Sequence, residues 1–194
     1  QDVDMFSLHT LGDKVHNIRQ LQEIRGEAWL HSTRASYEYN FNEKNSITAA
    51  YNGQFKSDGE GRSLSTGNFH KSDNLKGVTK DAMHNISLQA LLGCGLSAGA
   101  DYTLYDNRTR QTMNIDYMNG NILGMKQDAG QKVRAFHAYA DQSHAVGKGW
   151  KVGYGVSYRN SESDDFQRYS LESTIKGDNV DASLSEHTAE AYVS

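Results

Sequence analysis

Proline is missing from all 194 residues, and there is a single cysteine, Cys94. Against an ordinary usage of about 5% Pro, its absence excludes Pro-rich linkers and scaffolds. It suits the interior of a sheet, where Pro would remove a ladder donor. One thiol cannot close a bridge within the chain, so the disulfide-stapled class is excluded and the redox compartment stays open. An excess of basic charge is lacking too: 20 Lys and Arg face 24 Asp and Glu, a net charge of −4. Such a chain has no field to draw it onto phosphates, and nucleic acid is not an expected partner. Apolar runs such as Ala90 to Leu92 are far short of the roughly 20 residues of a membrane-spanning helix. Gln1-Asp2-Val3-Asp4 has neither the basic start nor the apolar stretch of a signal peptide. A transmembrane barrel survives all of these absences. Its strands show lipid only at every second side chain, so a mean hydropathy of −0.73 does not bear on it.

What is present is alternation. Ala35, Tyr37, Tyr39 and Phe41 interleave with Ser36, Glu38 and Asn40, the period of a strand with one apolar face. After Asn42-Glu43-Lys44-Asn45 the pattern resumes with Ile47, Ala49, Tyr51 and Phe55, which makes a hairpin. A second hairpin runs from Ile86, Leu88, Ala90 and Leu92 through Gly93-Cys94-Gly95 to Leu96, Ala98, Ala100, Tyr102 and Leu104. A third spans Ala135 to Tyr158, with Ser143 to Gly149 as its connection and Val152, Tyr154, Val156 and Tyr158 on its return. Ala189, Ala191 and Val193 begin a further strand, and the chain ends before that strand is paired, as in a truncated piece.

Between these hairpins lie long polar stretches, Lys56 to Ala82, Asp106 to Lys132 and Asn160 to His187, which read as long loops. Short turns alternating with long loops are unusual in a compact soluble domain and regular in transmembrane barrels. Near the N-terminus, Val15, Ile18, Leu21 and Ile24 fit a short helix by spacing, while the preferred reading is a long strand over Glu23 to Phe41. The apolar rows carry Tyr37, Tyr39, Tyr51, Tyr102, Tyr154 and Tyr158, rings suited to the level where hydrocarbon meets water. They also carry Ala35, Ala49, Ala98 and Ala100, which suit a lipid-facing wall better than a packed core.

Chemistry-bearing residues are sparse. His137, Tyr139 and Asp141 share one strand face, with His144 just beyond. Zinc sites draw on three or four His, Cys or carboxylate ligands, and a hydrogen-bonded polar row explains the same residues. Glu162, Asp164 and Asp165 form an acidic patch that reads as solvated loop rather than a cation site. Gly147-Lys148-Gly149 and Gly93-Cys94-Gly95 do not stand between a strand and a helix, as phosphate loops do, and read as hairpin turns. Cys94 has no neighbouring catalytic motif. Asn85-Ile86-Ser87 and Asn107-Arg108-Thr109 match the glycosylation pattern only as short strings arise by chance. No catalytic, cofactor-binding or metal-binding residue is assigned, no cofactor is expected, and no enzyme signal is found.

Tyr37-Glu38-Tyr39-Asn40-Phe41 leading to Ile47, Leu96-Ser97-Ala98-Gly99-Ala100-Asp101-Tyr102, and Ala138-Tyr139-Ala140-Asp141 followed by Gly147-Lys148-Gly149-Trp150-Lys151-Val152 resemble paired-strand units of the outer-membrane β-barrels of Gram-negative bacteria, in particular TonB-dependent receptors. The resemblance covers roughly Ile24 to Tyr158. The family's plug domain and its closing aromatic-ended strand have no counterpart here, so residues 1–194 read as a single barrel segment and no plug-borne binding residue carries over. The fold expected is all-β, an antiparallel up-and-down meander of about seven strands from a transmembrane barrel. The resemblance implies a non-catalytic receptor or transport role in nutrient uptake or surface binding at the cell outer membrane. The partners it implies are outer-membrane lipid, the remaining barrel strands or a partner chain, TonB-type energy-coupling machinery and a surface lipoprotein. Two rivals are a soluble β-sandwich that binds carbohydrate, and an outer-membrane hydrolase built on His137, Asp141 and the loop carboxylates.

Overall fold

Alternation with period two puts one set of side chains on each side of a ribbon, and no Pro interrupts the ladder, so the hairpins extend as far as their pairing lasts. The computed structural model describes residues 2–11, 14–66, 70–117, 120–171 and 179–194. They form β1 (Asp2–Leu11), β2 (Lys14–Arg25), β3 (Ala28–Asn42), β4 (Asn45–Thr66), β5 (His70–Leu92), β6 (Leu96–Tyr117), β7 (Ile122–Val146), β8 (Trp150–Leu171) and β9 (Val180–Val193). Every pairing is antiparallel within one sheet. The seven strands β3 to β9 are the meander expected from the sequence. The β1–β2 hairpin joins the far end of β4, where Leu21–Arg25 pairs with Arg62–Thr66 beyond the stretch that β3 occupies.

Four expectations are corrected. The long polar stretches are not loops: β4 to β8 are 22 to 25 residues long, and each pair stays in register almost to its far end. These segments alternate charged with uncharged polar residues, and their cross-strand partners match. Thr79 and Thr109 share a hydroxyl hydrogen bond of 3.1 Å, and Arg134 reaches Glu162 at 3.4 Å and Asp164 at 3.5 Å. The N-terminal region is neither a helix nor one strand from Glu23. β1 runs from Asp2 and β2 from Lys14, and the chain breaks at Gly26-Glu27, opposite an irregularity in β4 between Asp58 and Gly61. There the Gly59 N–H donates to the Glu27 carbonyl. The third hairpin turns over Gly147-Lys148-Gly149 alone, because His144 pairs with Val152 and Val146 with Trp150. The final strand likewise starts at Val180, well before Ala189, and is paired to β8 throughout.

The tight turns follow from local chemistry. Asn42 accepts from the Lys44 N–H at 2.9 Å and from the Asn45 amide at 2.8 Å, a side chain closing its own turn. Asn45 in turn accepts from the Gly93 N–H at 2.8 Å, which ties the first two turns together. Gly95, Gly147 and Gly149 have φ of 88°, 66° and 96°, a region that glycine occupies without steric cost.

No hydrophobic side chain is buried among residues 26–59, 74–117, 120–171 and 179–194, and among the described residues neither a helix nor a second layer lies on the sheet. The two stacked leaves of a soluble sandwich are therefore not met. The described strands leave the sheet open, with β9 at one edge and no pairing between it and β1 or β3.

Candidate functional site

Pairing register converts the sequence pattern into surfaces, because directly opposed residues share a face. Along one ladder Tyr37 opposes Ala49, then Leu88, Ala100, Ala138, Tyr158 and Ala189. The next ladder down runs from Tyr39 through Ile47, Ala90, Ala98, Ala140 and Val156 to Ala191. All of these point to one side, and the large ones other than Ile47 are exposed: Tyr37 is 68% accessible, Leu88 53% and Val156 57%. A contiguous apolar surface of this extent, with no buried hydrophobic side chain among those described, marks an interaction surface.

The apolar band does not follow the ladders straight across. On β4 its upper limit is Phe55, whose ladder passes through Ala82, Asp106 and Lys132 to Asp164. On β8 the corresponding limit is Tyr158, six residues lower than Asp164 and four strand-to-strand steps away. The lower limit moves the same way: Leu92 and Leu96 end the band on β5 and β6, whereas it continues on β7 and β8 through His144 and Val152 to Val146 and Trp150. A rise of about 3.3 Å per residue and a spacing of about 4.8 Å per strand turn this drift into a tilt of roughly 45°. Strands of transmembrane barrels tilt by about 35–45°. From Phe136 to Val146 the band measures about 33 Å along the strand, or about 23 Å after projection at that tilt, close to the apolar height of about 25 Å in such barrels. Rings gather at its limits, with Phe55, Tyr102, Phe136 and Tyr158 above and Tyr39, Phe41 and Trp150 below.

At the same levels the opposite face is polar and internally bonded. Arg34 donates to Asn52 at 2.8 Å, Asn52 to Asn85 at 3.4 Å, and Asn85 to Thr103 at 2.9 Å, a chain of hydrogen bonds across four strands. His137 Nδ1 lies 2.9 Å from Asp101 Oδ2, and its ring stacks on Tyr139. Tyr139 in turn lies over Gly99, and the Tyr192 hydroxyl donates to Asp141 at 2.7 Å across Gly155. Ser87, Asp101, Thr103, Gly155 and Ser157 are half-buried or buried, although no layer covers them, while Ile86, Leu88, Tyr102, Val156 and Tyr158 on the other side are exposed. The sheet thus shields its polar face, as curling toward that face does.

The structure distributes the candidates of the sequence as follows. His137, Tyr139 and Asp141 do share the polar face, but four residues along a strand separate His137 from Asp141 by about 13 Å. The carboxylate that meets His137 is Asp101, which the sequence reading had not singled out; the register of β6 on β7 brings it there. His144 points to the apolar side, edge-on to Tyr154. Glu162 and Asp164 lie on the apolar-side extension of β8 with Arg134, and Asp165 on the reverse face with Ser163. The acid/base group of the hydrolase reading is not assembled. Among the described residues no three His, Cys, Asp or Glu side chains gather as a metal site. Cys94 is exposed in its turn, and Asn85-Ile86-Ser87 and Asn107-Arg108-Thr109 both sit within strands.

Above the band, Arg108 clasps Asp128, with Nε to Oδ1 at 3.0 Å and Nη2 to Oδ2 at 2.6 Å. Those hydrogen bonds, with the charges of Arg108, Arg110 and Arg168, hold the Asp128 carboxyl below its ordinary range against a smaller effect of burial.

No protein-family model and no curated protein matches this sequence. Among solved structures the chain is similar to the ferric yersiniabactin uptake receptor FyuA from Yersinia pestis, at a TM-score of 0.45 and 11% sequence identity, over 95% of this chain and 26% of that one. The chain therefore spans about a quarter of that receptor's length.

Proposed function

We propose that this chain is a wall segment of an outer-membrane β-barrel of the TonB-dependent receptor type, serving nutrient uptake or surface binding without catalysis. The observation that carries this reading is the oblique apolar band: only strands crossing a slab at a tilt need an apolar zone that slips steadily from one strand to the next. In this reading the apolar face meets acyl chains, the polar face lines a lumen, and the long polar extensions of β4 to β8 rise beyond the hydrocarbon. Unpaired backbone groups are costly in lipid, so the free edge of β9 and the edge formed by β1 and β3 pair with further strands of a barrel. An energy-coupling partner and a surface lipoprotein belong to the same proposal.

The test is expression of the full-length protein in Gram-negative cells, followed by membrane fractionation and gel migration with and without boiling. A folded barrel in the outer-membrane fraction that migrates anomalously until boiled is expected. Recovery in the soluble fraction as a folded species overturns the proposal.

A further inference from the structure

The two faces of β5, β6 and β7 carry opposite charge. Every Lys and Arg between residues 74 and 146 stands on the apolar-side face: Lys80, Arg108, Lys132 and Arg134 nearest the band, then Lys76, Arg110 and Lys126. Against those seven, the carboxylates on that face are Asp106, Asp116 and Asp128. The reverse face of the same strands bears Asp81, Asp101 and Asp141, and among the described residues no Lys or Arg. Cations serving a solute in a lumen would face inward; these face whatever surrounds the wall. Over β8 and β9 the outward sign reverses, with Glu162, Asp164 and Asp181 against Arg168, so the positive surface belongs to β5, β6 and β7.

Height decides what those cations can meet. Lys80 lies two residues beyond Ala82 and Arg134 two beyond Phe136, while Arg108 lies four beyond Leu104 and Lys132 four beyond Phe136. At the tilt of the band these steps are heights of about 5 Å and about 9 Å above the apolar zone. The headgroup layer is about 5–8 Å deep on each side of the hydrocarbon, and the long stems of Lys and Arg let their charges reach back into it. Within the wall, Arg108 is held by Asp128 at 2.6 Å and Arg134 by Glu162 at 3.4 Å. Lys80 and Lys132 have no ion-pair partner among the described residues, although Lys132 opposes Asp106 and Asp164 on its rung. Lys80 directly opposes Arg108, a like-charge pair that destabilises a sheet unless an anion lies between. A lipid phosphate is an anion found at that depth, and a cluster of four or more Lys and Arg just outside the hydrocarbon is the arrangement that attracts anionic headgroups.

We propose that the outward face of β5, β6 and β7 holds the phosphate of an anionic lipid headgroup, with Lys80 and Lys132 as its unpaired cations and Arg108 on the strand between them. The inference rests on the barrel-wall reading, which puts this face against lipid.

The experiment reconstitutes the full-length protein in vesicles of phosphatidylcholine and phosphatidylglycerol, extracts it in detergent and counts the lipids of each kind retained, by mass spectrometry of the intact protein. Retention of phosphatidylglycerol over phosphatidylcholine is expected. Lys80→Gln and Lys132→Gln should each weaken it by about fivefold, the contribution of one cation beside an anionic headgroup. Lys56→Gln, on the reverse face at similar height, and Lys148→Gln, in a turn at the opposite rim, should leave it unchanged. Equal retention of the two lipids, a loss in Lys148→Gln without one in Lys80→Gln and Lys132→Gln, or displacement of the lipid by inorganic phosphate overturns the proposal. Boil-dependent gel migration is recorded for every sample. A protein that lacks it overturns the barrel reading and this proposal together, whereas a folded barrel that retains both lipids equally overturns the headgroup site alone.

Discussion

Gly155 lies beneath the bond between Tyr192 and Asp141: a Cβ added there would run into the Asp141 Oδ1 and stand 2.7 Å from the Tyr192 ring. Ring and carboxylate close over the position only because the side chain is a hydrogen. Gly155→Ala must push both aside, and a cost of about 1–3 kcal/mol is expected from such overpacking, read as a lowered urea midpoint of the lipid-reconstituted protein. Gly153→Ala on the same face, where the nearest atom is the flexible Ser194 Oγ, should cost less. Asp128 supplies a second test. Its folded pKa lies below its unfolded value, so its contribution to stability is present above the ordinary carboxylate pKa of about 4 and is lost as pH falls through the depressed value. Arg108 is exposed and Asp128 half-buried, so solvent screens the pair and the contribution is small. Asp128→Asn should flatten the acid limb of the stability profile below about pH 4 and leave the profile near neutrality almost unchanged; an identical acid limb would contradict the assignment.

At the scale of the strand, the two faces differ by one residue in sequence and, in the proposed reading, by solvent. Leu88→Arg places a charge in the middle of the apolar band and should cost about 2–4 kcal/mol, as at a bilayer midplane, whereas Ser87→Arg on the polar face should be tolerated. Equal costs in a reconstituted unfolding titration would contradict the assignment of faces. The apolar rows, the turns at 43–44 and 93–95 and the side of Tyr37, Tyr39, Tyr51, Tyr102, Tyr154 and Tyr158 were legible in the sequence, because apolar alternation and turn residues are local signals. The extensions were not. In Arg108-Thr109-Arg110-Gln111 both faces are polar, and a reading that sorts residues only into apolar and polar finds no period there. The alternation of charge with neutral amide or hydroxyl was the available signal. The meeting of His137 with Asp101 was beyond local reading altogether, since it depends on how β6 and β7 are aligned over 36 residues of chain.

At the scale of the molecule, a nine-stranded sheet with no buried hydrophobic side chain among its described residues has no interior of its own. Its cohesion within the sheet is the ladder, and in the proposed reading its apolar side meets lipid. The drift of the apolar band adds a direction to that reading, because a soluble partner layer packs along a sheet without demanding that successive strands step by the tilt of a barrel. The decisive measurement is a spin-label accessibility scan in lipid, on a Cys94→Ser background, along β4 and β8 of the full-length protein. The account predicts oxygen-accessible, nickel-protected labels at alternate positions on the apolar side, ending near Phe55 on β4 and near Tyr158 on β8. Labels on both faces open to the aqueous nickel reagent, or a boundary that follows the Phe55–Asp164 ladder straight across, would contradict it.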